Sequence, residues 1–321
     1  MHLEWRPYRF ALPSALVNAQ GRWFERSGWL LRLEASSGRV GWGEVPDLPS
    51  SWCAPPGSSA LPLAEVMEGL PQAQSRAEWE QQIQGLPVAL AFGLGLALAE
   101  LDGLGASGWL SAPASAVLLP AGSAALDRVR EHRPEALGTV KWKVAVEPDA
   151  RERDLLRLLL ELLPAHTRLR LDANGAWDRQ TAALWADQLQ GEPRLEWLEQ
   201  PLPPSDQEGL LALAQRLPVA LDESLRAFPA ADLQGWPGWQ VHRPAAAADP
   251  RPLLRRLQTG EPRLMLSTAF ETGIGLRFLH HLAGLQAQGP TPTAPGLAPG
   301  WSPQGPLFSS DPAHVWEAAR G

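Results

Sequence analysis

Lysine is nearly absent from this chain. Of its 28 basic residues only Lys141 and Lys143 are lysines, and all the others are arginines. Arginine replaces lysine well as a surface charge but poorly as a proton acceptor, because a guanidinium stays protonated where an amine can be titrated by its surroundings. The two survivors stand one residue apart in Thr139-Val-Lys-Trp-Lys-Val144, and positions i and i+2 share a face of a β-strand. Other absences exclude whole classes of protein. Cys53 is the single cysteine, which rules out an internal disulfide and a cysteine-rich metal centre. The net charge is −7 and no basic run stands out, so nucleic acid and anionic membrane are poor partners. Met1 to Phe10 carries Glu4 and Arg6 where a secretory leader needs an apolar stretch. The longest apolar run, Val88 to Ala99, is too short to cross a bilayer. These features lead us to expect a cytoplasmic protein that acts on a small molecule; a monomer is slightly favoured, although sequence does not fix the oligomeric state.

At 321 residues the chain is long enough for a large core and two domains. Residues 1–110 read as an α+β unit. Strand-like residues fill Leu3 to Leu12, Gly28 to Ala35 and Arg39 to Val45, with Ser36-Ser37-Gly38 as a hairpin turn, and helical patterns follow over Leu61 to Leu70, Arg76 to Gln84 and Pro87 to Leu104. From Ala116 short apolar strands alternate with amphipathic helices, the texture of parallel βα units. Strands are expected at Ala116 to Pro120, Thr139 to Val146, Arg168 to Asp172, Leu195 to Glu199, Val219 to Asp222, Trp239 to His242 and Arg263 to Ser267. A weak eighth is expected near Thr291 to Ala294. This count favours a closed barrel over an open sheet. Residues 295–321 begin with a Pro- and Gly-rich stretch that is expected to cross back over the first domain.

Four successive strands end in residues capable of chemistry: Lys141 and Lys143, then Asp172, then Glu199, then Asp222. The steps from Lys143 onward are 29, 27 and 23 residues, about one βα repeat each, so these side chains converge at one mouth of a barrel, where such folds keep their active sites. Three converging carboxylates repel one another unless a divalent cation joins them, and oxygen-only ligation favours Mg²⁺, with Mn²⁺ as a substitute. Removing a proton beside a carboxylate gives a dianionic enediolate; a metal stabilises that charge and a lysine can take the proton. Each amine of the pair lowers the proton affinity of the other, and the carboxylates act in the opposite sense. Trp142, between the lysines, is expected to point outward into the helix layer. His280-His281 lies on a helix outside the barrel and reads as packing. Glu223 is placed to hydrogen-bond a neighbouring strand-end charge. Gly273 and Gly275 could open a helix whose amides bind a substrate carboxylate, and Ser267 and Thr268 could line the same pocket.

Lys141-Trp-Lys143, Asp172-Ala-Asn174, Glu199-Gln-Pro201 and Asp222-Glu-Ser224 together resemble the enolase superfamily, and within it the muconate-lactonizing-enzyme subgroup. Gly41-Trp-Gly-Glu44, Ala97-Leu-Ala-Glu-Leu-Asp102 and Ser267-Thr-Ala-Phe-Glu-Thr-Gly273 support the match across nearly the whole chain. The resemblance implies an α/β fold, a modified (β/α)7β barrel over residues 111–294 with residues 1–110 as its cap. It implies Mg²⁺ held by Asp172, Glu199 and Asp222, with Asn174 and Glu223 behind these ligands. It further implies Lys143 as the base and Lys141 as the cation that steadies the substrate carboxylate. Among subgroup members the chain is most similar to a dehydratase, a carbon–oxygen lyase that acts on a succinyl-substituted hydroxycyclohexadiene carboxylate on the way to menaquinone or phylloquinone. Where the subgroup normally carries a sixth-strand lysine followed by proline, Gln240-Val-His-Arg-Pro244 has Arg243. A racemase or epimerase needs that lysine as a second base, and arginine is ill suited to exchange protons. A syn elimination needs one base, with an opposing cation to stabilise the intermediate, which arginine can supply. The departure therefore favours the dehydratase over an N-succinylamino acid racemase or dipeptide epimerase, and the retained lysines and carboxylates disfavour a non-catalytic member. Whether Arg243 or His242 faces the site stays open at the level of sequence. The segment from Val45 to Trp52 is expected to close over the ligand.

Overall fold

The computed structural model describes residues 1–18, 21–49, 62–228, 235–301 and 303–319. The first unit is an antiparallel sheet of β1 (His2–Asn18), β2 (Gly21–Glu34) and β3 (Val40–Pro46) in that order. Its first strand runs further than the sequence pattern indicates, because pairing with β2 resumes beyond an irregularity between Ala11 and Leu16. The turn at Ser36-Ser37-Gly38 forms as expected: the Ala35 amide donates to the Arg39 carbonyl and Gly38 takes a positive φ of 80°. Helices α1 (Leu63–Glu68), α2 (Arg76–Gln82) and α3 (Val88–Leu101) follow. Helix α3 has no polar face to turn to water, and nearly all of it is buried. Strand β3 lies directly on it. A Cβ added at Gly41 would come 2.0 Å from the Ala97 carbonyl oxygen, and one at Gly43 would come 2.1 Å from that of Gly93. Only glycine permits that approach.

The second unit alternates strand and helix as the spacing predicts. Its strands are β4 (Val117–Leu119), β5 (Thr139–Lys143), β6 (Arg168–Asp172), β7 (Leu195–Glu199), β8 (Val219–Leu221), β9 (Trp239–His242) and β10 (Leu264–Leu266), parallel and hydrogen-bonded in sequence order. Between them run α4 (Ala124–Arg130), α5 (Asp149–Leu162), α6 (Arg179–Leu189), α7 (Gln207–Ala214), a short α8 (Glu223–Ala227) and α9 (Arg251–Gln258), with α10 (Gly273–Gln288) and α11 (Pro312–Ala318) beyond. No strand forms at residues 291–294. The seam between β10 and β4 is instead bridged immediately afterwards, at residues 295–297. Gly296 pairs with Ser267 as a parallel bridge, the Ala116 amide donates to the Pro295 carbonyl at 2.9 Å, and the Leu297 amide donates to Ser115 Oγ at 2.9 Å. The result is a (β/α)7 sheet curled into a barrel and closed by one extended segment.

Alternation along the strands sorts side chains into two layers. Trp142, Leu171, Leu198 and Leu221 face outward and join one continuous apolar core with residues of α4 to α7, so Trp142 takes the outward position expected of it. Trp197, Ala220, Val241 and Met265 face inward and fill the barrel interior. Two residues further along each inward row lie the polar strand ends. Among the described residues no helix is long and apolar enough to cross a membrane.

Candidate active site

The strand register brings the acids together. Lys143 is level with Asp172, and Asp172 is level with Glu199, while Asp222 follows directly on β8. All three carboxylates are buried. The backbone just beyond the strand ends bends sharply: Ala145, Asn174, Gln200 and Phe270 have φ of 63°, 48°, 37° and 68°. Non-glycine residues rarely adopt this conformation, and when they do it is at turns or functional sites.

The two lysines differ in their surroundings. Lys141 Nζ lies 2.8 Å from Asp172 Oδ2 and 2.6 Å from Glu199 Oε1. Burial pushes its amine down, but Asp172 and Glu199 more than offset this and hold it above the ordinary lysine value. The opposition between amines and carboxylates that the sequence leaves open is thus decided at Lys141 by the carboxylates. The side chain of Lys143, half-buried at the same mouth, makes no hydrogen bond or ion pair with any described residue. One amine is locked in a charge network and the other is partly open to solvent.

Arg243, and not His242, faces this network. Its guanidinium donates from Nη2 to Asp222 Oδ2 at 3.0 Å and from Nη1 to the Thr268 carbonyl at 2.8 Å. His242 points the other way, to Gln240 Oε1 at 3.1 Å, and burial with the Arg256 cation pushes its imidazole down to about 3. Arg226, which the sequence pattern does not single out, adds a second guanidinium 3.4 Å from Asp222 Oδ1. Burial alone would raise Asp222, but Arg243 and Arg226 hold its carboxyl below the usual range.

Two acids of the cluster are nevertheless pushed the other way. Glu199 is raised, first by burial and then by Asp172 and Asp222, with Lys141 opposing. Glu223 is raised as well, by burial, Asp222 and Asp172. Asn174 Nδ2 donates to Glu223 Oε1 at 3.2 Å, leaving Glu223 Oε2 and Asn174 Oδ1 buried without a partner among the described residues. Among the described residues no three acid, imidazole or thiol groups stand close enough to grip an ion as placed; Lys141 stands between Asp172 and Glu199, and Arg243 is paired with Asp222. The three carboxylates are nonetheless all-oxygen donors on adjacent strand ends that repel one another, with the unsatisfied oxygens of Glu223 and Asn174 beside them, which is the chemistry of a Mg²⁺ site.

Other expected residues take more structural positions. Ser267 Oγ donates to the Gly296 carbonyl at 3.3 Å across the barrel seam, and Thr268 Oγ1 donates to Glu271 Oε2 at 2.6 Å. Gly273 packs its Cα against the Ser309 carbonyl. The amides of Thr272 and Gly275 at the start of α10 donate to the carboxylate of Glu44, a buried residue of the first unit that sequence alone marks only as part of Gly41-Trp-Gly-Glu44. His281 Nδ1 accepts from the Leu110 amide at 3.1 Å and stacks edge-on against Trp109, so it serves packing. Gln200, fully buried, is a further residue that sequence reasoning passes over. Its Oε1 accepts from the amides of Asp222 and Ser224, and its Nε2 donates to Ser224 Oγ and the Leu202 carbonyl, which fixes the start of the loop carrying Asp222. The glutamine within Glu199-Gln-Pro201 was its only signal.

Residues 124–232 match the family model described as enolase C-terminal domain-like. An o-succinylbenzoate synthase of Thermosynechococcus vestitus is 38% identical over 295 residues, which cover 88% of each chain. The chain belongs to the o-succinylbenzoate synthases. A second member of that family, from Edwardsiella ictaluri, is 30% identical over 314 residues, covering 90% of this chain and 88% of its own. The crystal structure of o-succinylbenzoate synthase from Thermosynechococcus elongatus, complexed with Mg in the active site, superposes with a TM-score of 0.80 at 33% identity and covers 99% of this chain and 100% of its own. The L-Ala-D/L-Glu epimerase of Bacillus subtilis shares the fold at a TM-score of 0.75 with 18% identity, covering 95% and 91% of the two chains.

Proposed function

We propose that this chain catalyses the Mg²⁺-dependent syn-dehydration of 2-succinyl-6-hydroxy-2,4-cyclohexadiene-1-carboxylate to o-succinylbenzoate, serving menaquinone or phylloquinone synthesis in the cytoplasm. One observation carries this reading beyond family membership: the mouth offers a single uncommitted amine, Lys143, and opposite it a guanidinium in place of a second amine. That asymmetry suits an elimination run by one base and is poor for racemisation, which needs a proton acceptor on each face.

In this reading Asp172, Glu199 and Asp222 hold Mg²⁺, which when bound offsets the charge that develops on the substrate carboxylate. Lys143 Nζ removes the proton on the ring carbon bearing that carboxylate. The same nitrogen returns the proton to the hydroxyl leaving from the neighbouring carbon on the same face, so one water departs and the ring becomes aromatic. Lys141 stays protonated between Asp172 and Glu199 and supplies fixed positive charge beside the substrate carboxylate. Arg243 lies against the other face of the electron-rich ring, a desolvated cation–π contact. Asn174 and Glu223 brace the acids, and Ser267, Thr268 and Gly273 act on the substrate side only through the backbone they hold, the side-chain hydroxyls of Ser267 and Thr268 being engaged with Gly296 and Glu271.

We assign residues 1–110 to the cap, 111–294 to the barrel and 295–321 to a returning segment, and expect a monomer. The segment Val45 to Trp52, of which residues 50–52 lie outside the described residues, is proposed to close over the ligand. The test is a turnover assay with the cyclohexadiene substrate against a panel of N-acyl amino acids and dipeptides, each with and without Mg²⁺. Dehydration that survives chelation, or racemisation that outpaces dehydration, would overturn the proposal.

A further inference from the structure

The guanidinium of Arg243 is held from two sides. Asp222 takes one, and the carbonyl of Thr268 takes the other at 2.8 Å. That carbonyl belongs to the turn between β10 and α10, and two carboxylates hold the turn in place. Glu271 accepts from Thr268 Oγ1 at 2.6 Å and from the Ala269 amide at 2.9 Å. Glu44, reaching over from β3 of the cap, accepts from the Thr272 amide at 2.9 and 3.0 Å, from Thr272 Oγ1 at 2.7 Å, from the Gly275 amide at 3.0 Å and from Tyr8 OH at 2.7 Å. Glu44, Glu271 and Thr272 are all buried. A buried carboxylate is costly unless its oxygens are satisfied, and these bonds satisfy both oxygens of Glu44 with donors drawn from both sides of the boundary between cap and barrel. A Cβ at Gly275 would lie 2.7 Å from Glu44 Oε2, so the helix start is shaped to admit this side chain.

We propose that Glu44 is a positioning residue for the reaction: through Thr272 it fixes the turn whose Thr268 carbonyl aims Arg243 at the substrate ring. The inference rests on the role given above to Arg243. Glu44 does not meet substrate. Its contribution passes through the placement of one guanidinium, so the two residues form a single functional unit whose losses do not add. The cap thereby sets catalytic geometry in the barrel through a continuous set of short contacts.

A double-mutant cycle on the full chain with saturating Mg²⁺ tests this. Glu44→Gln and Thr272→Val are each made alone and in combination with Arg243→Ala, and kcat and KM are measured separately. Thr272→Val deletes one bond to Glu44 and leaves the carboxylate in place, so it reports even where Glu44→Gln folds poorly. On the proposal each variant lowers kcat by roughly 10-fold with the parent Arg243, and by less than about 2-fold when Arg243 is already alanine, the scale of coupling between contacting residues. Equal fold losses in both backgrounds, a loss confined to KM, or no loss in either background would overturn it. Failure of the underlying reading looks different, because Arg243→Ala alone would then leave kcat unchanged.

Discussion

Replacing the two lysines one at a time by methionine should separate stability from catalysis. Lys141 Nζ stands 2.8 Å from Asp172 and 2.6 Å from Glu199, with its side chain 13% exposed and those of the acids 8% and 0%. Methionine fills a similar volume but leaves two buried carboxylates facing each other without compensation. Removing one partner of a buried ion pair costs about 3–5 kcal/mol. Unfolding entropy grows with chain length, so this corresponds to a fall in Tm of roughly 4–7 °C for a protein of this size. Lys143 has no such partners among the described residues, and Lys143→Met should move Tm by less than ~1 °C, as surface or unpaired positions do. The measurement is thermal unfolding of parent, Lys141→Met and Lys143→Met in chelator, followed by a Mg²⁺ titration. A cation bound among the same acids restores compensation, and at 100 times its Kd it adds about 2.7 kcal/mol. The loss in Lys141→Met should therefore be largely recovered, while both variants lack turnover. If Lys141→Met were as stable as the parent in chelator, or if Lys143→Met fell as far, the assignment of Lys141 as internal counter-charge would be wrong.

Lys143→Arg keeps the charge and removes the titrating amine, so turnover should drop by ~10³-fold or more, because one group serves both proton transfers; near-normal turnover in this variant would reassign the base. Arg243→Lys should remain a dehydratase and Arg243→Ala should lose roughly 1–3 kcal/mol of transition-state stabilisation, read as kcat/KM, with abolition by the alanine variant counting against a stabilising role. Asp172→Asn, Glu199→Gln and Asp222→Asn should each weaken Mg²⁺ binding in calorimetry with the circular dichroism unchanged; undiminished affinity in any one removes that residue from the ligand set. Burial raises Glu44 from 4.5 to about 7 despite the Thr272 donors, and burial likewise raises Glu100 to about 7 against the pull of Arg277. An acid whose folded value is raised contributes stability below its unfolded value and loses it as pH climbs to the folded one. Each group should therefore contribute a decline in stability between pH 4.5 and 7 on the order of 3 kcal/mol, against the opposite contribution of His242. Urea midpoints of Glu100→Gln that follow the parent's pH dependence across that window would contradict the assignment.

Much of this molecule was legible in its residues because the relevant signals are local or periodic. The acids recur with the βα repeat, so Asp172, Glu199 and Asp222 could be placed at one barrel mouth without a structure. The pairing of Lys141 and Lys143 stood out because lysine is otherwise missing. What sequence could not supply was contact between distant segments. Arg243 and His242 are adjacent, and only the alternation set by β9 decides which one turns inward. The chain between β10 and β4 carries no strand pattern at residues 295–297, since proline and glycine form the bridge, and the weak apolar residues just before it drew the expectation to residues 291–294. Glu44 looks like a strand-end glutamate until the start of α10, more than two hundred residues later, is brought against it.

The seam between β4 and β10 has a kinetic consequence. Six of the seven strand-to-strand steps in the barrel join neighbours in sequence, and such short-range pairings can form as the chain emerges during synthesis. The bridge of Ser115 to Pro295 spans 180 residues and cannot form until the far end of the barrel has been made. Until then β4 and β10 are unpaired edges on an apolar sheet, the type of surface on which one chain pairs with another. The nascent protein is most exposed to aggregation in that interval, and a loss of backbone bonding around Gly296 would lower the yield of folded enzyme before it altered the chemistry of the finished site.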